Sequence, residues 1–184
     1  VSPAGETVFG LPEIKPLDFI QMIKNYVNTG GIWWGTGGYP FFYYLAVRSD
    51  GSTIFTHLGG SGSSIFGITC PGGPVDQPKR PLTLTEEGKR WFSKQRAERL
   101  KYATANAQRP FLTPPETLVL VKGGKDNYVA PIRADGWGFL FNLGGFSVDK
   151  EVASDIIAGT IIFLWNNPWP QPPTPPRQVA WKLQ

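Results

Sequence analysis

The sequence predicts a mainly β fold, an antiparallel, jelly-roll-like β-sandwich with two short helices and extended termini. The composition is the first reason for this fold class, because charged residues make up only 17% of the chain while 22 glycines and 18 prolines interrupt it. Such a chain suits many short strands joined by shaped loops. The second reason is that short runs of β-branched and aromatic residues recur between turn signals. With 184 residues, the chain is predicted to form a single domain over 1–184.

The N-terminal third is predicted to contain an arm, a helix and a hairpin. Glycines and prolines block regular structure over 1–15 and favour an extended arm. Pro16 then suits the first turn of a helix, and apolar residues at helical spacing predict that helix over 17–28. The run FFYYLAV at 41–47 is rich in β-formers, and an Asp-Gly pair separates it from the run TIFTH. That pattern predicts a β-hairpin.

The middle of the chain contains the second predicted helix. The stretch GGSGSS at 59–64 is typical of a flexible loop, and SIFGIT at its end predicts a short strand. Thr83 and Glu86 fit a capping box that would start the helix, whereas Gly88 weakens the helix by about 1 kcal/mol relative to alanine. The segment 79–115 is predicted to be a helical, basic insertion, because it holds nine of the chain's 18 basic residues.

The C-terminal third is predicted to return to β-structure. Runs of β-formers at 117–122, 128–132, 137–143 and 156–165 are separated by Gly, Asp and Asn. A Pro-rich stretch follows, so that 166–184 is predicted to form an irregular C-terminal arm. No run of apolar residues is long enough to span a bilayer, and no membrane-spanning segment is predicted.

The residue types that most enzymes need are scarce. His57 is the single histidine and Cys70 the single cysteine, so zinc sites built from four cysteines, or from two cysteines and two histidines, are excluded by count. His57 could serve as a base, but no nucleophile-elbow, phosphate-binding-loop or dinucleotide-binding motif accompanies it. The sequence therefore predicts no enzyme, no cofactor and no metal site, with a hydrolase using His57 as the lesser alternative.

Aromatic rings are the strongest binding candidates, because tryptophan and tyrosine can anchor an interface or stack on a sugar. The residues predicted to contact a partner or to stack on a ligand are Trp33, Trp34, Phe41, Tyr43, Trp137 and Trp169. A lesser hypothesis is nucleic-acid binding, since basic and aromatic residues alternate in the second predicted helix. Its candidates are Lys89, Arg90, Lys94, Arg96 and Arg99, which would otherwise form the solvated face of an amphipathic helix.

The N-terminal third resembles a segment of the capsid proteins of picorna-like viruses, especially those of insects (dicistroviruses and iflaviruses). The matching positions are Ala-Gly-Glu at 4–6, the predicted helix from Leu17 to Tyr26, and the polar turn from Arg48 to Ser52. RSDGS stands where Arg-Gly-Ser is usual in the family. The resemblance implies a jelly roll that is cut from a polyprotein.

This resemblance implies a structural function, a coat or surface-projecting protein of a virion that is assembled in the host cytoplasm. Its partners would be copies of itself and sister capsid chains, with a weak contact to genome RNA. A chain that runs from Val1 to Gln184 suits processing by a viral protease. The alternative hypothesis is a carbohydrate- or surface-ligand-binding β-sandwich module that uses exposed tryptophans.

Overall fold

The computed structural model describes residues 6–35, 37–70, 80–101, 104–105, 117–123, 129–143 and 150–167. The helices in these ranges are α1 (Pro16–Asn28), α2 (Gly60–Ser64), α3 (Glu86–Trp91), α4 (Lys94–Leu100) and α5 (Lys150–Asn166). The strands are β1 (Thr7–Phe9), β2 (Ile32–Gly35), β3 (Tyr43–Val47), β4 (Thr53–His57), β5 (Arg80–Pro81), β6 (Thr83–Leu84), β7 (Thr104–Ala105), β8 (Thr117–Val119), β9 (Val121–Lys122), β10 (Pro131–Asp135) and β11 (Gly138–Asn142). Among the residues that the structure describes, helix (about 38%) exceeds strand (about 29%), so the fold is mixed α/β.

Most strands belong to two sheets. The large sheet has the strand order β2-β11-β10-β8, and the small sheet has the order β1-β3-β4. The pairs β3–β4, β10–β11 and β8–β10 are antiparallel, whereas β1 runs parallel to β3 and β2 runs parallel to β11. Two short antiparallel pairs, β5–β7 and β6–β9, lie apart from these sheets. The prediction that antiparallel strands combine with helices is confirmed. The strand order is not that of a jelly roll, and the described residues form more than the two helices predicted.

The first helix, α1, forms where the sequence predicts one. Pro16 occupies the first turn, where its missing N–H would have had no partner inside the helix. Ile20, Ile23 and Val27 recur along one face and are buried. Gly30 follows the helix at φ 106°, which only glycine adopts without strain. The predicted helix is therefore confirmed.

The large sheet is covered on both sides. Every residue of β11 is buried, as expected for a strand without a solvent-facing side. Leu140 packs into a core that contains α1, whereas Phe139 and Phe141 pack into a second core on the opposite side. Fully burying each of these side chains contributes about 1.5–3 kcal/mol. The sheet is therefore the middle layer of three.

The helices α3, α4 and α5 form the layer opposite α1. Trp91 of α3 stacks on Phe163 of α5, with ring centroids 4.3 Å apart. Phe92 lies against Gly159, where an added Cβ would be 2.4 Å from the Phe92 ring. Aromatic side chains thus join α3 to α5, and they cover the second core.

The strand predicted over 156–165 is wrong, because this segment belongs to α5. Ile156, Gly159 and Thr160 are buried and Phe163 is partly buried against the second core. These positions follow the spacing of one helical face, which a strand could not present to the sheet. The opposite face is apolar as well, so the helical period is hidden in the sequence. No helix of the described ranges is long and apolar enough to cross a membrane.

The predicted hairpin is confirmed as β3–β4. Arg48 N donates to Ser52 O at 2.8 Å, and the Asp50 carboxylate accepts from Ser52 N at 2.8 Å. Gly51 lies at φ 81°. The Asp-Gly pair therefore supplies both the side-chain acceptor and the positive φ that the turn requires.

Four local predictions for the middle of the chain are wrong. Residues 60–64 form α2 instead of a flexible loop, and 64–69 do not form the predicted strand. The cap of α3 is Thr85, whose Oγ1 accepts from Gly88 N at 3.0 Å, and not Thr83. The helix predicted as one element is divided into α3 and α4.

The two predicted arms have different outcomes. Within 1–15, residues 7–9 form β1 and pair with β3 inside the small sheet. Within 166–184, α5 ends at Asn166, and residues 168–184 lie outside the described ranges. Strands are present in each of the other C-terminal runs that predicted them, as β8, β9, β10 and β11.

Candidate functional site

A glycine-rich loop connects β2 to β3 and is held by side chains from three other elements. Glu6, next to β1, accepts a hydrogen bond from a loop N–H at 2.9 Å. Asn142 of β11 donates from Nδ2 to Gly38 O at 2.6 Å, and Ser63 of α2 donates to Pro40 O. All three side chains are buried. The loop is thus fixed to β1, β11 and α2 through its own backbone groups.

Next to this loop lies a cavity of about 250 Å³, bordered by β1 and β2. It is lined by Thr7, Val8, Phe9, Trp33, Trp34, Gly35, Pro40 and Phe41, and we call it the edge cavity. Three of the six predicted aromatic candidates, Trp33, Trp34 and Phe41, therefore meet here. Trp33 contacts Phe41 with ring centroids 6.2 Å apart, whereas Trp34 contacts Phe141 at 4.2 Å. The two indoles lie on opposite sides of β2, as neighbours on a strand must.

Tyr43, the fourth candidate, lies in a row of rings on the small sheet. Its ring contacts Phe55 at 5.3 Å with an interplanar angle of 21°, and His57 at 5.2 Å with an angle of 30°. His57 in turn contacts Phe42 at 4.9 Å. With two nearly parallel neighbours, the Tyr43 ring offers little of its face to a ligand.

His57 and Cys70 show no catalytic arrangement. His57 is exposed and has ring contacts, but it makes no hydrogen bond or ion pair with a described residue. The Cys70 Sγ donates to Ser63 Oγ at 3.1 Å, and Ser63 itself holds the glycine-rich loop. The geometry therefore gives the predicted hydrolase alternative no support.

Trp137, the fifth candidate, lies on the surface at the turn between β10 and β11. Asp135 and Gly138 are paired across this turn, and Gly136 takes the positive φ of 60° that such a hairpin turn favours. Trp137 N donates to Asn28 O at 3.1 Å, which fixes the turn to the end of α1. Trp137 is 41% exposed, and no described aromatic ring packs on its indole.

Polar groups and a second aromatic residue lie close to this turn. The side-chain amide of Asn28, in the orientation that satisfies its neighbours, donates to the Asp135 carboxylate at 2.9 Å. Tyr26 is 54% exposed, and its ring covers Gly31, which lies beside the first residue of β11. We call Tyr26, Asn28, Asp135 and Trp137 the Trp137 surface.

Sequence reasoning identified Trp137 but missed the other members of the Trp137 surface. The sequence assigns Tyr26 and Asn28 only to the predicted helix over 17–28. They come from α1, and only tertiary packing brings them to β10. An Asp-Gly pair at 135–136 is the hairpin signal that could have placed Asp135 beside Trp137. Trp169, the sixth candidate, lies outside the described residues.

Two of the basic candidates bind an acidic residue of a neighbouring helix. Arg99 donates to both carboxylate oxygens of Asp155 on α5, with Nε 2.5 Å from Oδ2. Arg96 lies 3.7 Å from the same carboxylate. The hydrogen bonds from Arg99 lower the pKa of Asp155, although burial opposes that shift, and they raise the pKa of Arg99. These two arginines therefore join α4 to α5.

The other three basic candidates lie on exposed helix surfaces. Lys89 pairs with Glu86 at 2.5 Å and Arg90 pairs with Glu87 at 3.0 Å, each within α3. Lys94 is exposed at the start of α4. Exposed pairs within one helix contribute only a few tenths of a kcal/mol. This pattern fits the solvated amphipathic surface that the sequence analysis set against nucleic-acid binding.

Comparison with known proteins relates the chain to others through its fold alone. The sequence matches no protein-family model and no curated protein. Similar structures include a β-galactosidase from Rahnella sp. R3 (13% identity, TM-score 0.51, 92% of this chain) and one from Bacillus circulans sp. alkalophilus (15%, 0.54, 91%). A cytoplasmic protein of Salmonella typhimurium is also similar, with 14% identity and a TM-score of 0.52 over 83% of this chain and 62% of its own. This chain spans only 22% of each β-galactosidase chain.

The predicted capsid function is wrong. It depended on a jelly roll, whereas the chain has a mixed α/β fold that is similar to parts of β-galactosidases and to a cytoplasmic protein. The segments behind the resemblance, Leu17 to Tyr26 and Arg48 to Ser52, form an ordinary helix and hairpin turn of this fold. The predicted virion location and sister capsid partners were implied by the capsid function alone, so no observation now supports them.

Proposed function

We propose that this chain is a non-catalytic domain that binds carbohydrate at the Trp137 surface. The observation that carries the proposal is the half-exposed indole of Trp137 beside the hydrogen-bonded pair Asn28–Asp135. An indole face packs against the apolar face of a sugar ring, and amide and carboxylate groups bind its hydroxyls. This proposal retains the predicted alternative, a module that uses exposed tryptophans, on a mixed α/β fold.

The backbone around Trp137 supports this function because it holds the indole in a defined position. The turn is closed by the β10–β11 pairing, and its N–H is bonded to the end of α1. The Asn28 amide orients the Asp135 carboxylate, which keeps further acceptor positions for sugar hydroxyls. A site that is already ordered loses less conformational entropy when a ligand binds.

The fold comparison suggests which sugars to test first. Two of the similar structures are named as β-galactosidases, and in each the matching region is a minor part of the chain. Galactose-containing carbohydrates are therefore the first ligand class that we propose.

The test is a titration of the protein with galactose, lactose and β-1,4-galactan, followed by calorimetry and by two-dimensional NMR. We expect chemical-shift changes at the Trp137 indole N–H, and a loss of affinity of tenfold or more in Trp137→Ala, about the effect of one stacking ring. Trp165→Ala is the matched control, because Trp165 is 85% exposed on the distant α5. Binding equal to that of the wild type in Trp137→Ala, or no binding of any of these sugars, would overturn the proposal.

A further inference from the structure

The edge cavity lies between two strands that each have only one partner. In the described part of the chain, β1 pairs with β3 alone and β2 pairs with β11 alone. Residues of both strands line the cavity. An unpaired strand edge carries main-chain donors and acceptors that can bind another strand.

The hydrogen bonds of the small sheet show which backbone groups of β1 point away from β3. Tyr43 N donates to Glu6 O, and Gly10 N donates to Leu45 O. Residues 6 and 10 therefore direct their backbone groups toward β3, and residue 8 does the same because alternate residues of a strand are equivalent. The N–H and C=O of Phe9 must point away from β3. No hydrogen bond joins them to a described residue.

The same reasoning applies to β2 in the large sheet. Phe139 N donates to Gly31 O at 3.1 Å, and Leu143 N donates to Gly35 O at 2.8 Å. Residues 31, 33 and 35 therefore direct their backbone groups toward β11. The backbone groups of Ile32 and Trp34 point to the free edge, again without a hydrogen bond to a described residue.

The walls of the edge cavity fit an extended peptide. Val8, Trp33 and Phe41 belong to or pack against the core that contains α1, whereas Trp34 packs against the second core. Phe9 is 68% exposed and points away from the α1 side. An inserted strand would place alternate side chains on these two sides. A cavity of about 250 Å³ cannot hold a helix about 10 Å wide.

We propose that the edge cavity takes up an extended peptide segment with apolar side chains on both faces. The segment hydrogen-bonds to Phe9 on the β1 side and to Ile32 and Trp34 on the β2 side. Its insertion links the small sheet to the large sheet by continuing two hydrogen-bonded ladders that already exist. This binding mode is strand addition, and it uses a site other than the Trp137 surface.

The test measures amide hydrogen exchange of the full chain with the peptide acetyl-KVLVIVLK-amide, which is apolar on both faces, at about 1 mM, a concentration that detects weak complexes. We expect exchange at the amides of Phe9, Ile32 and Trp34 to slow tenfold or more. The amides of Val8 and Trp33 are internal controls, since they already face β3 and β11. A peptide of the same length with proline at alternate positions cannot supply the ladder donors and should protect none of them.

Two variants separate this proposal from carbohydrate binding. Trp34→Ala should weaken peptide binding tenfold or more, whereas Trp137→Ala should leave it unchanged. Trp34→Phe, which keeps a ring on Phe141, should restore binding if Trp34→Ala is poorly folded. Equal protection by the proline peptide, or no protection by either peptide, would overturn strand addition. Protection that appears without peptide as the protein concentration rises would also overturn it, because a second copy would then fill the cavity.

Discussion

Replacing Gly88 with alanine sets helix propensity against packing. Gly88 lies in α3, where alanine is favoured over glycine by about 1 kcal/mol. A Cβ at this position would be 2.1 Å from Leu120 O and 3.0 Å from Leu120 C. The same carbonyl accepts hydrogen bonds from Thr85 N at 3.1 Å and from Thr85 Oγ1 at 3.3 Å. The helix can accept a methyl group only by moving away from Leu120 and weakening these bonds.

We expect Gly88→Ala to lower the free energy of unfolding by about 3 kcal/mol. Overpacking of this kind costs about 1–3 kcal/mol. Each weakened hydrogen bond from Thr85 costs about 0.5–1.5 kcal/mol, and the better helix propensity regains about 1 kcal/mol. For a domain of this size the net loss corresponds to a fall in Tm of about 6–12 °C.

The assay is urea unfolding followed by circular dichroism, with thermal unfolding as a second measurement. Gly60→Ala is the matched control, because Gly60 is also helical and an added Cβ there meets no atom within 4 Å. We expect that variant to be as stable as the wild type or slightly more stable. If Gly88→Ala were also as stable as the wild type, the gain in helix propensity would outweigh the cost of packing. The close contact with Leu120 would then not prevent a side chain at position 88.

Three further predictions concern single contacts. Arg99 holds the pKa of Asp155 below its unfolded value, so the stabilisation from this pair is present at neutral pH and is lost as the pH falls through the folded pKa. Below about pH 4, the midpoint of urea unfolding should therefore fall more steeply with decreasing pH in the wild type than in Asp155→Asn. Asn142→Ala leaves the buried carbonyl of Gly38 without its donor and should cost about 1–3 kcal/mol in urea unfolding. Thr85→Ala removes the side-chain cap of α3 and should cost about 1 kcal/mol in thermal unfolding.

Local signals were sufficient for the first helix and the first hairpin. Pro16 and the apolar spacing after it determine α1, and the Asp50-Gly51 pair determines the β3–β4 turn, through contacts within a few residues. The segment 156–165 was misjudged because both faces of α5 are apolar, so neither a helical nor a strand period is visible. That error replaced the longest helix of the described residues by a strand.

Long-range pairing could not be deduced from the sequence. Trp33 and Trp34 were predicted to contact a partner or a ligand, but the sequence did not indicate that their strand pairs with β11, more than a hundred residues further along the chain. The same holds for the Trp137 surface, where Tyr26 and Asn28 meet β10 only through the packing of α1 on the large sheet. One sequence without covarying relatives contains no signal for such contacts.

The position of β2 in the large sheet has a consequence for how the chain folds. The strands β8, β10 and β11 can pair within the C-terminal half, but β2 joins them only when a loop of more than a hundred residues closes. Pairings this distant in sequence slow folding, because the entropy of loop closure is lost before the contact is gained. A chain cut between residues 70 and 80 would leave β2 on one fragment and its partner on the other. Neither fragment should then fold alone, and mixing the two should restore the structure.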